Sequence, residues 1–218
     1  MTINWDWSVI AYAAPSMLRG TLITIEMSVA AMFFGTLIGA ILGVASVFKF
    51  WPVRALVAIY VYTVRGVPLL VIIFLIYFAL PAAGIYLSTV TAGLMALSIY
   101  AGAYITEIFR AGILAVDVGQ AEAAKAIGMT ERMTLTSVLL PQAIRNIIPP
   151  VTNELIKIVK SSSLLSTITI SELTRAAQLV VVEKFTPFEI YATLAVYYLV
   201  IIGALSYFSR YVEWRLAR

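Results

Sequence analysis

The sequence predicts an all-α protein embedded in a membrane, one domain over residues 1–218 made of about five membrane-spanning helices. Three observations lead there. The chain is 62% apolar and only 12% charged, against roughly 45–50% and about 25% in soluble domains. Its apolar residues gather in runs of about 20, the length that crosses a hydrocarbon core. Its Lys and Arg fall mainly in the gaps between those runs. A surface with half the usual charge is solvated by lipid.

The first run spans 21–48 and contains one acid, Glu26. Gly35, Gly39 and Gly43 recur in it at four-residue spacing, one helix face of small residues that lets a second helix approach. Glycine simply tolerated in a membrane helix is the alternative reading. Lys49, Trp51, Pro52 and Arg54 then form a short basic loop. The second span is expected over 55–80, ending at Pro81, and an uncharged linker, 82–87, leads to a third over 88–114. The one long polar stretch, 116–145, comes next. A fourth span over 147–170 is unusually polar, Ser171 is positioned to cap a short surface helix running to about Val182, and a fifth span covers 188–208 before a basic tail.

Ala11-Tyr12-Ala13-Ala14 resembles a signal-peptidase site, but Asp6 precedes it and no Lys or Arg does. The N-terminus therefore reads as retained, with Trp5 and Trp7 at the membrane interface. Nine Lys and Arg fall on the side of the 116–145 loop and the tail, and three (Arg19, Arg175, Lys184) on the other. That asymmetry puts the N-terminus outside and the C-terminus in the cytoplasm. It also explains the net charge of +4 without a nucleic-acid partner. With no Cys and no His, the chain has no thiol nucleophile or disulfide and lacks the commonest metal ligand and general base. Neither catalysis nor a metal site is expected. No Gly-rich phosphate loop is present, so any use of ATP requires a partner.

In the polar stretch, Gln120 to Ile127 is a run of good helix formers, and Gly128 suits the left-handed position that ends a helix. Thr130 can cap a second helix with Glu131 in its first turn. Pro141 and Pro149-Pro150 punctuate the chain from there into the fourth span. Such a helix–Gly–helix unit could be a connector or a docking element. Its spacing bears on the choice: Glu122-Ala123-Ala124, three residues, Gly128, nine residues, Val138, one residue, then Leu140-Pro141. This resembles the cytoplasmic signature of the permease subunits of binding-protein-dependent ABC importers. Phe109-Arg110-Ala111-Gly112-Ile113, Arg65-Gly66-Val67-Pro68-Leu69, Asn153-Glu154-Leu155-Ile156 and Glu172-Leu173-Thr174-Arg175-Ala176 are similar to the polar amino-acid uptake branch, over roughly residues 20–210.

The resemblance implies a permease for a polar amino acid in a bacterial inner membrane, paired with an identical or paralogous second permease. Two ABC ATPase subunits, which hold the ATP and Mg, would grip the loop through Glu122, Ala123, Ala124, Gly128, Leu140 and Pro141. A periplasmic or lipid-anchored binding protein would deliver the amino acid. Val67, Ile72 and Ser161 depart from the residues usual in that branch, which leaves the particular amino acid open.

Glu154, Lys157 and Lys160 lie three residues apart in the fourth span. Charge at a membrane centre costs about 2.5–3.5 kcal/mol, so these side chains should face protein or water. A structural Glu154–Lys157 pair fits, with Lys160 reaching the interface. A transport pathway also fits: Glu154 meeting a substrate ammonium, Arg65 or the hydroxyls of Ser161 and Ser162 its carboxylate, and Tyr100 and Tyr104 lining the route. A proton- or ion-conducting subunit would want acids strung through several spans, and a structural subunit of a respiratory complex would leave the 116–145 loop without a reason.

Overall fold

The computed structural model describes residues 6–216, and its described elements are all helical. Trp5 and Arg218 lie outside them. Helix α1 covers Ser8–Ala45 and α2 covers Trp51–Gly66. Helix α3, Leu69–Ala82, follows a break in the chain at Val67 and contains a π-helical turn at Leu75–Ala79. Helix α4 is Thr89–Leu114 and α5 is Val118–Ala126. Helix α6, Leu140–Ser161, is entered through Glu131–Met133 and a π turn at Thr134–Leu139, and leaves through a 3₁₀ segment at Ser162–Ile168. Helices α7, Leu173–Lys184, and α8, Pro187–Leu216, complete the chain. By length and composition α1, α4 and α8 can each cross a membrane, and the broken α2–α3 pair is a fourth candidate.

Several boundaries differ from the sequence expectation, each for a local reason. The first helix begins at Ser8 rather than 21, because its early turns join a core with α7 and α8. Pro15 costs it one backbone bond, while Ser16 and Thr21 donate their hydroxyls to the carbonyls of Ala13 and Met17. The expected basic loop at 49–54 is helical from Trp51, with Pro52 in the first turn, where its missing N–H and fixed φ suit a helix start. The expected continuous span 55–80 is broken at Val67, φ −105° and ψ 132°, because Pro68 disfavours the helical region for the residue before it. Neither Pro141 nor Pro149-Pro150 ends a helix. In both α3 and the entry to α6, a π turn closes just before a Leu-Pro pair, Leu80-Pro81 and Leu140-Pro141. The wider turn moves the carbonyls that a proline ring would otherwise strike. The helix expected over 147–170 therefore begins well before 147 and turns 3₁₀ at Ser162. The fifth runs to Leu216, well past 208.

The cap of α7 also shifts by one residue. It is Glu172, not Ser171: its carboxylate accepts from the backbone N–H groups of Thr174 and Arg175 at 2.9 and 2.7 Å. Tyr198 donates to the same carboxylate at 3.3 Å. Burial pushes the Glu172 carboxyl up, and these hydrogen bonds oppose the shift.

The chain forms two compact units. One comprises the described residues up to Met32, with 68–98 and 155–207. Its core joins Val9, Ala13 and Met17 of α1 to Leu173, Ala177 and Val180 of α7 and Ile190 of α8. At Gly20 a Cβ would lie 2.9 Å from the Leu173 Cα, so only glycine allows α1 and α7 this close.

The other unit comprises residues 33–67 and 99–154 and the described residues from Phe208 on. Gly35, Gly39 and Gly43 are all buried, and a Cβ on Gly39 or Gly43 would meet Ile105 or Phe109 of α4 at 2.5 or 2.4 Å. The four-residue glycine spacing is therefore a packing seam. Tyr60 of α2 donates to the Ile99 carbonyl at 2.7 Å. A second cluster gathers Ile113, Leu135, Ala143 and Ile147. Gly39→Val should overpack the seam at a cost of about 1–3 kcal/mol, read as a lower melting temperature of the purified protein beside an unchanged Gly66→Ala control, where a Cβ meets nothing within 4 Å.

Candidate functional site

Two groups of the expected residues come together, both within the second unit. The first is the element over 117–141. Asp117, which sequence reasoning passed over, caps α5 by accepting from the Gly119 N–H at 2.7 Å. This brings the helix start forward to Val118. Gly128 has φ +84°. Its N–H donates to the Lys125 carbonyl at 2.9 Å, and the Met129 N–H to the Ala124 carbonyl at 3.1 Å. That pair of bonds is the left-handed helix stop in which glycine is favoured. Thr130 caps the next helix, accepting from the Met133 N–H at 3.3 Å.

Across this element Ala124 is buried, while Glu122, Ala123 and Gly128 are exposed. Ile127 is 80% exposed, an unusual amount for a large apolar side chain at a helix end. Leu140 is half-buried against the Ile113–Ile147 cluster, and Pro141 is exposed. Gln142 donates to the Gln120 side chain and to the Val138 carbonyl at 3.3 and 3.0 Å, which ties the π turn to α5. Lys49, from the segment between α1 and α2, is ion-paired with Glu131. The pair raises the Lys49 ammonium above its usual range and holds the Glu131 carboxyl below its own. Sequence alone had no means of finding it, since 82 residues separate the partners.

The second group draws on α2, α4 and α6. The Arg65 guanidinium stands over the Tyr104 ring, 5.0 Å from its centroid. Tyr100 and Tyr104, one turn apart, hold their rings 4.8 Å apart and share a hydroxyl hydrogen bond of 3.2 Å. Arg65 and Glu154 both lie within electrostatic reach of the Tyr100 hydroxyl, and Glu154 is 1% exposed. A cleft of about 550 Å³ opens on Arg65, Tyr104, Tyr62 and Glu107. Glu107, three residues after Tyr104, was missed at the sequence level. The signal was there in its helical spacing.

The other expected pathway residues fall in the first unit. Lys157 and Lys160 are exposed and Ser161 is half-buried, while the buried Ser162 donates its hydroxyl to the Val159 carbonyl at 2.9 Å. Steps of three residues turn a helix by about 300°, which carries the charges from the buried face at Glu154 to the open face at Lys157.

Helices long and apolar enough to cross a membrane, together with a capped helical element bearing exposed residues, are the marks of an integral-membrane subunit. The family model for the binding-protein-dependent transport system inner membrane component matches residues 35–218. The glutamine transport system permease protein GlnP of Escherichia coli K12 is 35% identical over 216 residues, covering 98% of this chain and 99% of its own length. The probable amino-acid ABC transporter permease protein YckA of Bacillus subtilis 168 is 34% identical, covering 99% and 97%. Among solved structures, an amino acid ABC transporter with histidines superposes with a TM-score of 0.92 at 35% identity, covering 98% of this chain and 100% of that one. A subunit of the MetNI methionine ABC transporter gives 0.77 at 21% identity, a likeness of fold. The chain belongs to the family of binding-protein-dependent transport system inner membrane components. It is a permease subunit of the ABC type and not itself an enzyme.

Proposed function

We propose that this chain forms the translocation pathway for a polar amino acid through Arg65, Tyr100, Tyr104 and Glu154, and that ATPase subunits dock on residues 117–141. The observation that carries this reading is the grouping of a guanidinium, two tyrosines and a buried carboxylate from three helices. A zwitterionic amino acid has complementary ends for such a group: its carboxylate suits Arg65, and its ammonium suits Glu154. Lys157, Ser161 and Ser162 would serve a further stage of the route. The names of the relatives make glutamine the first substrate to test. The partners are two ABC ATPase subunits carrying ATP and Mg, a second permease chain, and a periplasmic or lipid-anchored binding protein.

Docking at 117–141 is supported by the exposure of Glu122, Ala123, Gly128 and Ile127 on a firmly capped helix. Reconstitution of the permease with its ATPase and binding protein in vesicles, followed by ATP-dependent glutamine uptake, tests the function. Uptake of no polar amino acid by a complex that hydrolyses ATP would refute it.

The basic asymmetry of the loops sets the proposed orientation in the inner membrane, with 117–141 in the cytoplasm. The chain has no native Cys, so single probes read it cleanly. Tyr86→Cys and Ile127→Cys, at positions 81% and 80% exposed, should label from outside and inside respectively in intact cells. Labelling of both from outside excludes this topology.

A further inference from the structure

A cleft of about 710 Å³ lies among the end of α1, the start of α2 and the end of α4. Its lining includes Lys49, Arg54 and Arg110 against one carboxylate, Glu107, a net charge of +2. Glu107 is 3.7 Å from the Arg110 guanidinium, a loose ion pair. The start of α2 at Trp51 lies at the same cleft, and its helix dipole adds a modest positive field. Beside the cations, Phe48, Phe50 and Trp51 are 42%, 64% and 74% exposed. Aromatic side chains of this sort sit at the headgroup level of a bilayer. A free anion gains nothing from them, whereas a lipid gains contact for its glycerol and upper acyl carbons.

We propose that this cleft binds the phosphate headgroup of an anionic phospholipid. Arg54 and Arg110 hold the phosphate, and Phe48 and Trp51, which line the cleft, cover the glycerol. Lys49 is shared between this cleft and Glu131, the first helical residue after the Thr130 cap. A bound phosphate competes for that ammonium, so the lipid is placed to loosen the Lys49–Glu131 tie.

The test uses the purified, delipidated transporter complex. Phosphatidylglycerol and phosphatidylcholine of matched chains are titrated in, and lipid bound per complex is measured by native mass spectrometry. Phosphatidylglycerol should bind at least tenfold more tightly. Each cation removed, Arg54→Gln or Arg110→Gln, should weaken it about fivefold, and Glu107→Gln should tighten it. Inorganic phosphate at millimolar concentration should leave the lipid in place. Equal retention of the two lipids overturns the proposal. So does displacement by inorganic phosphate, which would mark a site for the free anion. Unchanged binding by intact Arg54→Gln and Arg110→Gln complexes also overturns it. If those variants fail to assemble, Glu107→Gln decides, and no gain in binding refutes the site.

Discussion

Gly128→Val is expected to leave the permease inserted and assembled with its second copy or paralogue, yet to lower binding-protein-stimulated ATPase activity and substrate uptake at least tenfold. A Cβ at this position meets nothing within 4 Å, so crowding is not the cause. The cost arises in the backbone, which holds φ at +84°. Leaving glycine there costs roughly 1–2 kcal/mol, and a β-branched residue more. The cheapest relief is to give up the Gly128–Lys125 and Met129–Ala124 bonds and let α5 swing away from the Thr130 cap. Gly128→Asn is the matched control, since asparagine tolerates this region, and it should keep most of the coupling. Glu122→Ala removes one exposed charge without touching the backbone and should give a milder defect. Full stimulated ATPase activity and uptake in Gly128→Val would show that 117–141 is not the docking element.

Glu154→Gln should reduce uptake at least tenfold while the yield of assembled complex stays near that of the parent. The substitution keeps the size, exchanges one acceptor oxygen for an NH2 donor and removes the charge, at a side chain that is 1% exposed. If the carboxylate serves a substrate ammonium, the loss falls on transport, and on substrate concentration dependence in particular. If it instead neutralises a neighbouring cation within the bundle, its loss strands a buried charge, which is strongly destabilising. Yield and uptake would then fall together. Measuring both on the same preparation separates the two roles. Arg65→Gln should mirror the transport defect, since Arg65 stands over the Tyr104 ring in the same group of residues.

The features that sequence reasoning reached are those determined by residues near in the chain. The left-handed stop at Gly128 and the cap at Thr130 arise from side-chain chemistry within a turn or so. The four-residue spacing of Gly35, Gly39 and Gly43 marked a close-packed face, though not that Ile105 and Phe109 would fill it. The early start of α1 was hidden by Pro15, Ser16 and Arg19, which look like the end of an apolar run. Only the distant residues Leu173, Ala177 and Ile190 make it worthwhile for that stretch to be helical. Glu172 displaced Ser171 as a cap because its longer carboxylate can loop back to two amides and also reach Tyr198. Lys49–Glu131 and the approach of Arg65 to Tyr104 are non-local, and no spacing rule encodes them. Pro141 misled for another reason, as the π turn before it has no residue signature of its own.

The prolines of α6 give the helix an uneven stiffness. Pro149 and Pro150 lie inside it and donate no N–H, so the carbonyls of Arg145 and Asn146 lose their usual partners four residues on. Bending is cheapest where backbone bonds are already missing. A push applied near Glu131 would then not spread evenly along the rod. It would concentrate in the turn from Arg145 to Pro150, one turn ahead of Glu154. At about 1.5 Å per residue, the arm from Glu131 to that joint is about 27 Å long. A swing of about 5 Å at its outer end therefore needs only about 10° of flexure there. Geared in this way, a large displacement at the exposed end arrives beside Glu154 as a small reorientation.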